Sequence, residues 1–391
     1  MTGRIGHAAG VADLQETLDR HVRDGSAPGV VAALGYADGR LDVAAAGGLA
    51  LDSIVRIQSM TKAVTAVATL RLVDQGRLAL TDPIETWLPE LADRQVLRTP
   101  TSDLDDTVAA RSPITVEHLL TNMSGYGMAL EPSPLQDAMR DNRTEASAAP
   151  VQLDADDWVA ALADLPLAFE PGTGWRYHHS FGLLGVLLSR VVGRPLGEHL
   201  REDIFDPLGM PDTGYAARRA SARRLVAAYR RREDTIDDAS FEKVDPAGKG
   251  FYLEPSHLET SHAELVSTLA DYCVFVSMLA RGGTHQGEAF VDSTLLAKMT
   301  TDQVTASAKT PESFFPGFWD GMGWGYGVAI ETSGPHAGRF GWSGGLGTDF
   351  FVAPDGSFGV VLTQVEMDGP IIGVFDDVRA IAEIPHADDT P

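Results

Sequence analysis

The 391-residue chain is short of several things, and each shortage removes a class of function. It has one cysteine, Cys273, so no intrachain disulfide can form; set in the apolar run 269–279, that thiol is expected to be buried and inert. Redox chemistry is set aside on that ground. Nowhere do about 18 apolar residues run uninterrupted, and the opening stretch MTGRIGHAAGVADL lacks an apolar segment behind basic residues. Neither a membrane span nor a secretory leader is expected, which predicts a soluble, cytoplasmic protein. Positive charge is scarce too: 31 basic against 55 acidic residues leave a formal charge of −24, so a phosphate backbone or anionic membrane would be repelled. Nucleic acid and membranes are therefore excluded as partners. The arginine clusters Arg218–Arg219, Arg223–Arg224 and Arg230–Arg232 run into Glu233, Asp234, Asp237 and Asp238 and are read as a solvated helix face. None of the 11 histidines forms His-Glu-x-x-His or a comparable pair with carboxylates, so no metal or other cofactor is expected.

What is there is ordinary globular material, 44% hydrophobic and 22% charged, with no Pro- or Ser-rich linker, internal repeat or low-complexity tract. One compact unit over 1–391 with two lobes is predicted: residues 1–78 with 263–391 as an α/β lobe, and 79–262 as a mainly helical one. Apolar residues at helical spacing predict a first helix over 11–23. Two β-rich runs, 29–36 and 40–46, flank Ala37-Asp38-Gly39, a hairpin turn signal. A short strand is expected at 52–57 and a buried helix from Ser59 to a stop at Gly76. Helices follow at 115–121, 155–163, 181–192 and 196–205, then a long one over 263–281. Strands are predicted at 324–330, 339–342, 349–353 and 358–364, and a closing helix at 371–383. Strands at both ends around a helical middle imply an α/β fold of α+β type, one antiparallel sheet built from both termini and flanked by helices.

Ser59-Met60-Thr61-Lys62 puts a hydroxyl and an amine three residues apart, on one face of the first turn of a helix, which suits a nucleophile beside its base. To accept a proton at neutral pH the lysine pKa must fall from about 10.4 to about 7, a bias of roughly 4–5 kcal/mol that burial and a helix N-terminus can supply. Ser240-Phe241-Glu242-Lys243 has the same spacing but lies in a charged loop. Only five of the basic residues are lysines, so a lysine in an apolar helix stands out against the alternative of an N-cap with a snorkelling side chain. A Pro171-Gly172 turn then delivers Tyr177 to a loop tip just before an apolar helix. Its phenol can relay a proton there if a nearby cation lowers its pKa, and equally it can simply pack. Gly341-Trp342-Ser343-Gly344-Gly345 sets small residues on a strand, where a backbone N–H can face an oxyanion.

Together these three elements resemble the serine hydrolases of the class C β-lactamase and family VIII carboxylesterase group, relatives of the penicillin-binding proteins. The resemblance spans nearly the whole chain, because further blocks appear in order: 114–125 (ITVEHLLTNMSG), Pro207-Leu208-Gly209-Met210, 267–272 (STLADY) and Trp324-Gly325-Tyr326-Gly327. It implies a β-lactamase/transpeptidase-like fold and an acyl-enzyme on Ser59, with Lys62 and Tyr177 as the general-base pair. The backbone N–H groups of Ser59 and Gly345 would form the oxyanion hole. Substrate contacts are expected from Tyr126, His179, Trp342, Ser343 and Gly344.

Two positions depart from the family pattern. Its Tyr-x-Asn element is Tyr177-His178-His179, so an imidazole stands where an amide contacts the lysine; His179 either hydrogen-bonds to Lys62 or fills space, and His178 is expected to point away. The Lys-Thr-Gly element is Trp342-Ser343-Gly344, as in the esterase branch, which leaves a substrate carboxylate without a charge-assisted hydrogen bond worth roughly 1.5–3 kcal/mol. An uncharged small-molecule ester is the expected substrate, and carboxylesterase the expected activity. Phe314, Phe315, Phe318, Trp319, Trp324 and Tyr326, with Trp342 and Tyr126, either line an acyl or alcohol pocket or belong to core and rim. The loop 127–157 is expected to cover the entrance.

The run Gly341–Gly345 satisfies Gly-x-Ser-x-Gly, yet a strand rather than a helix follows and only His386 remains downstream. A catalytically silent peptide-binding fold is at odds with the retention of Ser59, Lys62 and Tyr177. Amide-directed hydrolysis or acyl transfer on the same acyl-enzyme stays open, since fold does not choose the acceptor.

Overall fold

The computed structural model describes residues 8–147, 151, 153–232, 241–253 and 260–383. The chain opens with helix α1 (Ala8–Arg23) and the hairpin β1 (Gly29–Gly35) and β2 (Leu41–Gly47), whose turn is tied by the Arg40 N–H donating to Asp38 Oδ1 at 2.8 Å. A two-residue strand β3 (Val55–Arg56) leads through one turn of 3₁₀ helix, Gln58–Met60, into α2 (Thr61–Asp74). The helical middle includes α3 (His179–Val192); after it come β4 (Val266–Ser267), which pairs with β3, and α4 (Leu269–Ala280). Five strands of the main sheet follow, β5 (Met322–Trp324), β6 (Ala329–Glu331), β7 (Phe340–Gly344), β8 (Thr348–Val352) and β9 (Phe358–Leu362), before the closing helix α5 (Gly369–Ala382).

The main sheet has the order β5-β6-β7-β8-β9-β1-β2 and every neighbour is antiparallel. The two ends of the chain meet within it, where Val31 of β1 lies opposite Leu362 of β9. The sequence pattern explains why both faces are covered. Side chains alternate across a strand, so Val30, Ala32 and Leu34 of β1 join Leu14 and Leu18 of α1 and Val374 and Val378 of α5, while Val31 and Ala33 enter the core on the opposite face. Helix α2 is buried nearly all round, Lys62 included, which is why its sequence has no polar face.

The structure corrects several expected boundaries. Residues 263–268 are not helical: α4 begins at Leu269 because the Thr268 side chain caps it, accepting from the Asp271 N–H at 3.2 Å, and Val266–Ser267 is spent on β4. The single strand expected over 324–330 is the hairpin β5–β6. Its turn includes Gly327 at φ 76°, where an added Cβ would lie 2.8 Å from the Lys62 carbonyl oxygen, so the turn packs on the start of α2. The arginine clusters do not share a helix face. Arg219–Arg224 is a 3₁₀ segment and Ala228–Arg231 a strand, and Arg230 and Arg231 pair with Glu366 and Asp368. Within 127–157 a helix not foreseen from the sequence, Pro134–Asp141, is capped by Ser133. Ser240 and His386 lie outside the described residues.

Candidate active site

The Gln58–Met60 turn presents Ser59 between β7 and α2. Gln58 has φ 50°, a left-handed conformation that a non-glycine residue adopts only at a cost of order 1–3 kcal/mol. The turn is held by Thr348, whose hydroxyl donates to the Ile57 carbonyl at 3.0 Å. Strand β7 closes on it: a Cβ on Gly344 would fall 2.3 Å from Thr348 Oγ1 and 2.5 Å from the Ile57 oxygen, so only glycine permits this approach. The approach brings Gly345 alongside the Ser59 turn, where an added Cβ would be 4.0 Å from Gln58 Oε1. Gly345 is exposed, its carbonyl accepts from the Met367 N–H at 3.0 Å, and its own N–H has no acceptor among the described residues.

Lys62 is fully buried on the next turn of helix. Its Nζ donates to Ser59 Oγ at 3.1 Å and to the His262 carbonyl at 2.6 Å, and lies 4.4 Å from the centre of the Tyr177 ring. Burial pulls its pKa down to about 7, against the opposing pull of the Glu264 carboxylate. Neutral amine is thus available near physiological pH, within hydrogen-bond reach of the serine.

Tyr177 is held from both sides by backbone bonds: the Arg176 N–H donates to the Asn122 carbonyl at 3.0 Å, and the Tyr177 carbonyl accepts from the Met128 N–H at 2.9 Å. The ring is 7% exposed, and its oxygen accepts a 2.6 Å hydrogen bond from Trp342 Nε1. A relay through the phenol was conditional on a nearby cation lowering its pKa. Burial instead raises it well above its ordinary value, and the hydrogen bonds with Ser59 and Trp342 offset only part of that rise. Lys62 lies over the ring face rather than at the oxygen, so the Tyr177 phenol is neutral. His178, which follows it, has φ 97°, so both site elements carry a strained non-glycine residue next to the reactive one.

Three residues expected at the substrate face elsewhere. His179 is 1% exposed, its Nε2 is 2.7 Å from the Thr144 carbonyl oxygen and its ring stacks on Trp158; it makes no hydrogen bond to Lys62, and burial lowers its pKa to about 4. Tyr126 is buried in the main core with its hydroxyl toward Arg94. Ser343 sits one residue out of phase with Trp342 on β7, so its hydroxyl points to the opposite face and donates to Asp349 Oδ1 at 2.6 Å, where Arg379 also binds. Gly344 acts through its lack of a side chain. His178, expected to point away, packs edge-on against His262 at 4.0 Å between ring centres.

The aromatic residues form one cluster around Trp175, which the sequence reading did not single out. Tyr177, Phe314, Phe318, Trp319 and Trp324 all lie with ring centres 5.1 to 6.1 Å from it. Trp342 joins through Trp324 at 4.7 Å, and Met128 and Leu130 pack on the edge. Tyr326 lies apart in the main core, donating to Glu117 at 2.5 Å. The sequence reading also missed His262 and Glu264 behind Lys62, and a Ser26–His21–Asp377 chain with links of 3.1 and 2.9 Å. In that chain the serine meets Nδ1 and the carboxylate Nε2, the reverse of a catalytic triad, and it ties the end of α1 to α5.

The fold thus brings a serine, a buried lysine and a tyrosine together beside an antiparallel sheet, the arrangement that the resemblance to β-lactamase-class serine hydrolases calls for. The family model described as Beta-lactamase matches residues 14–369, and the chain belongs to that family. It is 34% identical over 345 residues to Protein Rv1367c of Mycobacterium tuberculosis, covering 85% of this chain and 82% of that protein. It is 29% identical over 355 residues to Esterase EstB of Burkholderia gladioli, covering 84% and 83%. Among solved structures it is similar in fold to EstCE1, described as a hydrolase with promiscuous acyltransferase activity, with TM-score 0.76, 24% identity and coverage of 96% and 98%. The fold class and the resemblance to family VIII esterases and class C β-lactamases stand.

Proposed function

We propose that the chain is a carboxylesterase that cleaves small, uncharged esters with short-to-medium acyl or aromatic groups through an acyl-Ser59 intermediate. The observation that carries this reading is the Trp342 indole N–H on the Tyr177 oxygen at 2.6 Å. A neutral donor occupies the position where the resemblance to β-lactamases calls for a lysine, so a substrate carboxylate has less to bind there, by roughly 1.5–3 kcal/mol. An ester without that carboxylate loses nothing.

In the proposed cycle neutral Lys62 takes the Ser59 proton as Oγ attacks the ester carbonyl. The N–H groups of Ser59 and Gly345 receive the oxyanion. Collapse breaks the C–O bond, the Tyr177 phenol protonates the departing alkoxide, and a water in the vacated site carries the Lys62 ammonium proton back to the Tyr177 oxygen. Water then attacks the acyl carbon, giving its proton to Lys62, and the acid leaves as Ser59 is reprotonated. The aromatic cluster around Trp175 and Trp342 supports an apolar acyl or alcohol group beside the reacting carbonyl. Transfer to an alcohol uses the same acyl-Ser59, and the activity described for EstCE1 makes it the second reading.

The test is intact-mass analysis after fluorophosphonate treatment, with peptide mapping, alongside turnover of p-nitrophenyl butyrate and nitrocefin by wild type and Ser59→Ala. One adduct on Ser59, ester turnover abolished in Ser59→Ala and little nitrocefin hydrolysis are expected. An adduct elsewhere, on Ser343 or Ser26 for example, refutes the mechanism, and nitrocefin turnover matching the ester refutes the substrate class. Added alcohol that yields a new ester in place of acid selects acyl transfer.

A further inference from the structure

Behind Lys62 the chain makes a tight bend, residues 260–264, in which one hydroxyl and two backbone N–H groups converge on one carboxylate. Glu264 is 2% exposed. Its Oε2 accepts the N–H groups of His262 and Ala263, each at 2.8 Å, and its Oε1 accepts the Thr260 hydroxyl at 2.9 Å and lies 3.4 Å from His262 Nδ1. The carbonyl of the same His262 takes the 2.6 Å hydrogen bond from Lys62 Nζ, the shorter of that amine's two. A buried carboxylate is costly unless it is fully bonded, and here its bonds fold the backbone into the shape that turns one carbonyl toward the amine.

We propose that Glu264 is a positioning residue for Lys62: through the 260–264 bend it holds the His262 carbonyl against Nζ and keeps the amine aimed at Ser59. The inference rests on the reading of Ser59 and Lys62 given above. The carboxylate has a second effect on the same amine. The Tyr177 ring lies under Lys62, His178 and His262 are near it and His179 is more remote, and burial holds all three imidazoles below their usual pKa, so they are neutral at neutral pH. Tyr252 faces Glu264, and burial keeps it a neutral phenol. Glu264 is therefore the charged group in this shell that favours the protonated lysine.

Glu264→Gln separates the two effects. A glutamine oxygen can accept the His262 and Ala263 N–H groups while its NH₂ meets Thr260 and His262 Nδ1, so the bend is retained and only the charge is lost. The readout is the rate of Ser59 phosphonylation by a fluorophosphonate from pH 5 to 9, which follows the fraction of neutral Lys62 without depending on any substrate. Loss of an opposing charge is expected to move the acid limb down by about one unit or more, so that well below the limb the variant reacts about tenfold faster than wild type. Glu264→Ala, which also frees the bend, is expected to react more slowly than Glu264→Gln at every pH and more slowly than wild type on the plateau above the limb, where Lys62 is neutral in all three proteins. A glutamine profile superimposed on wild type, or shifted upward, overturns the proposal, as does an alanine variant as fast as wild type on the plateau above the limb. If the alanine variant does not fold, the glutamine profile decides. Absence of any Ser59 adduct in the wild type is a different failure, that of the esterase reading itself.

Discussion

The buried lysine makes a prediction about stability that runs opposite to its role in chemistry. Lys62 ordinarily titrates at 10.5 and is held at about 7 in the folded protein. A depressed lysine pKa means that the unfolded chain binds the proton more tightly. Folding is therefore penalised in full below pH 7, and the penalty fades as pH rises from about 7 to about 10.5, where the lysine is neutral in both states. The gap corresponds to about 5 kcal/mol at about 1.36 kcal/mol per unit. Lys62→Met removes the amine at similar volume and leaves the His262 carbonyl without its partner, a cost of about 1–3 kcal/mol. The net expectation is a variant about 2–4 kcal/mol more stable than wild type at pH 6 and about 1–3 kcal/mol less stable near pH 10.5, with no ester turnover at either.

The assay is urea unfolding of both proteins at pH 6, 8 and 10, comparing midpoints at matched slopes. Other titrating groups are shared, so the difference between the two curves isolates Lys62. A difference that does not change with pH, or one that favours the variant more as pH rises, refutes the argument that desolvation is what prepares this base. A crossover in sign would show that the protein gives up stability to hold an amine near neutrality at Ser59.

Two further substitutions probe β7. Trp342→Phe removes the hydrogen bond to the Tyr177 oxygen while keeping an aromatic ring, and is expected to lower kcat for p-nitrophenyl butyrate by about 10- to 100-fold, the cost of about 1–3 kcal/mol at a buried polar group; unchanged kcat would mean that the indole only packs. Ser343→Ala breaks the bond to Asp349 on the other face of the strand and is expected to reduce stability by about 1 kcal/mol with Ser59 labelling intact; loss of labelling would place Ser343 in the site after all.

The parts of this site that could be read from the sequence are those whose signal is local. Ser59 and Lys62 are three residues apart in a stretch with no polar face, so spacing and burial could be inferred together, and the structure has them 3.1 Å apart. The hairpin β1–β2 and the helix over 116–120 likewise announce themselves through a turn dipeptide and a capping threonine. Misreadings arose where a residue's partner is remote. Ser343 could not be assigned to a face until the register of β7 against β8 was known, and one residue of phase separates Trp342, on Tyr177, from Ser343, on Asp349. His179 was judged by its place in a three-residue element, but its ring answers to Thr144 and Trp158. Glu264 and His262 lie some 200 residues from Lys62 in a segment that reads as the start of a helix, and nothing in their neighbourhood marks them. The contact that holds the base therefore has no local signature: it exists because β4 pairs with β3, the strand just before the nucleophile's turn, and that pairing sets the 260–264 bend against the first turn of α2.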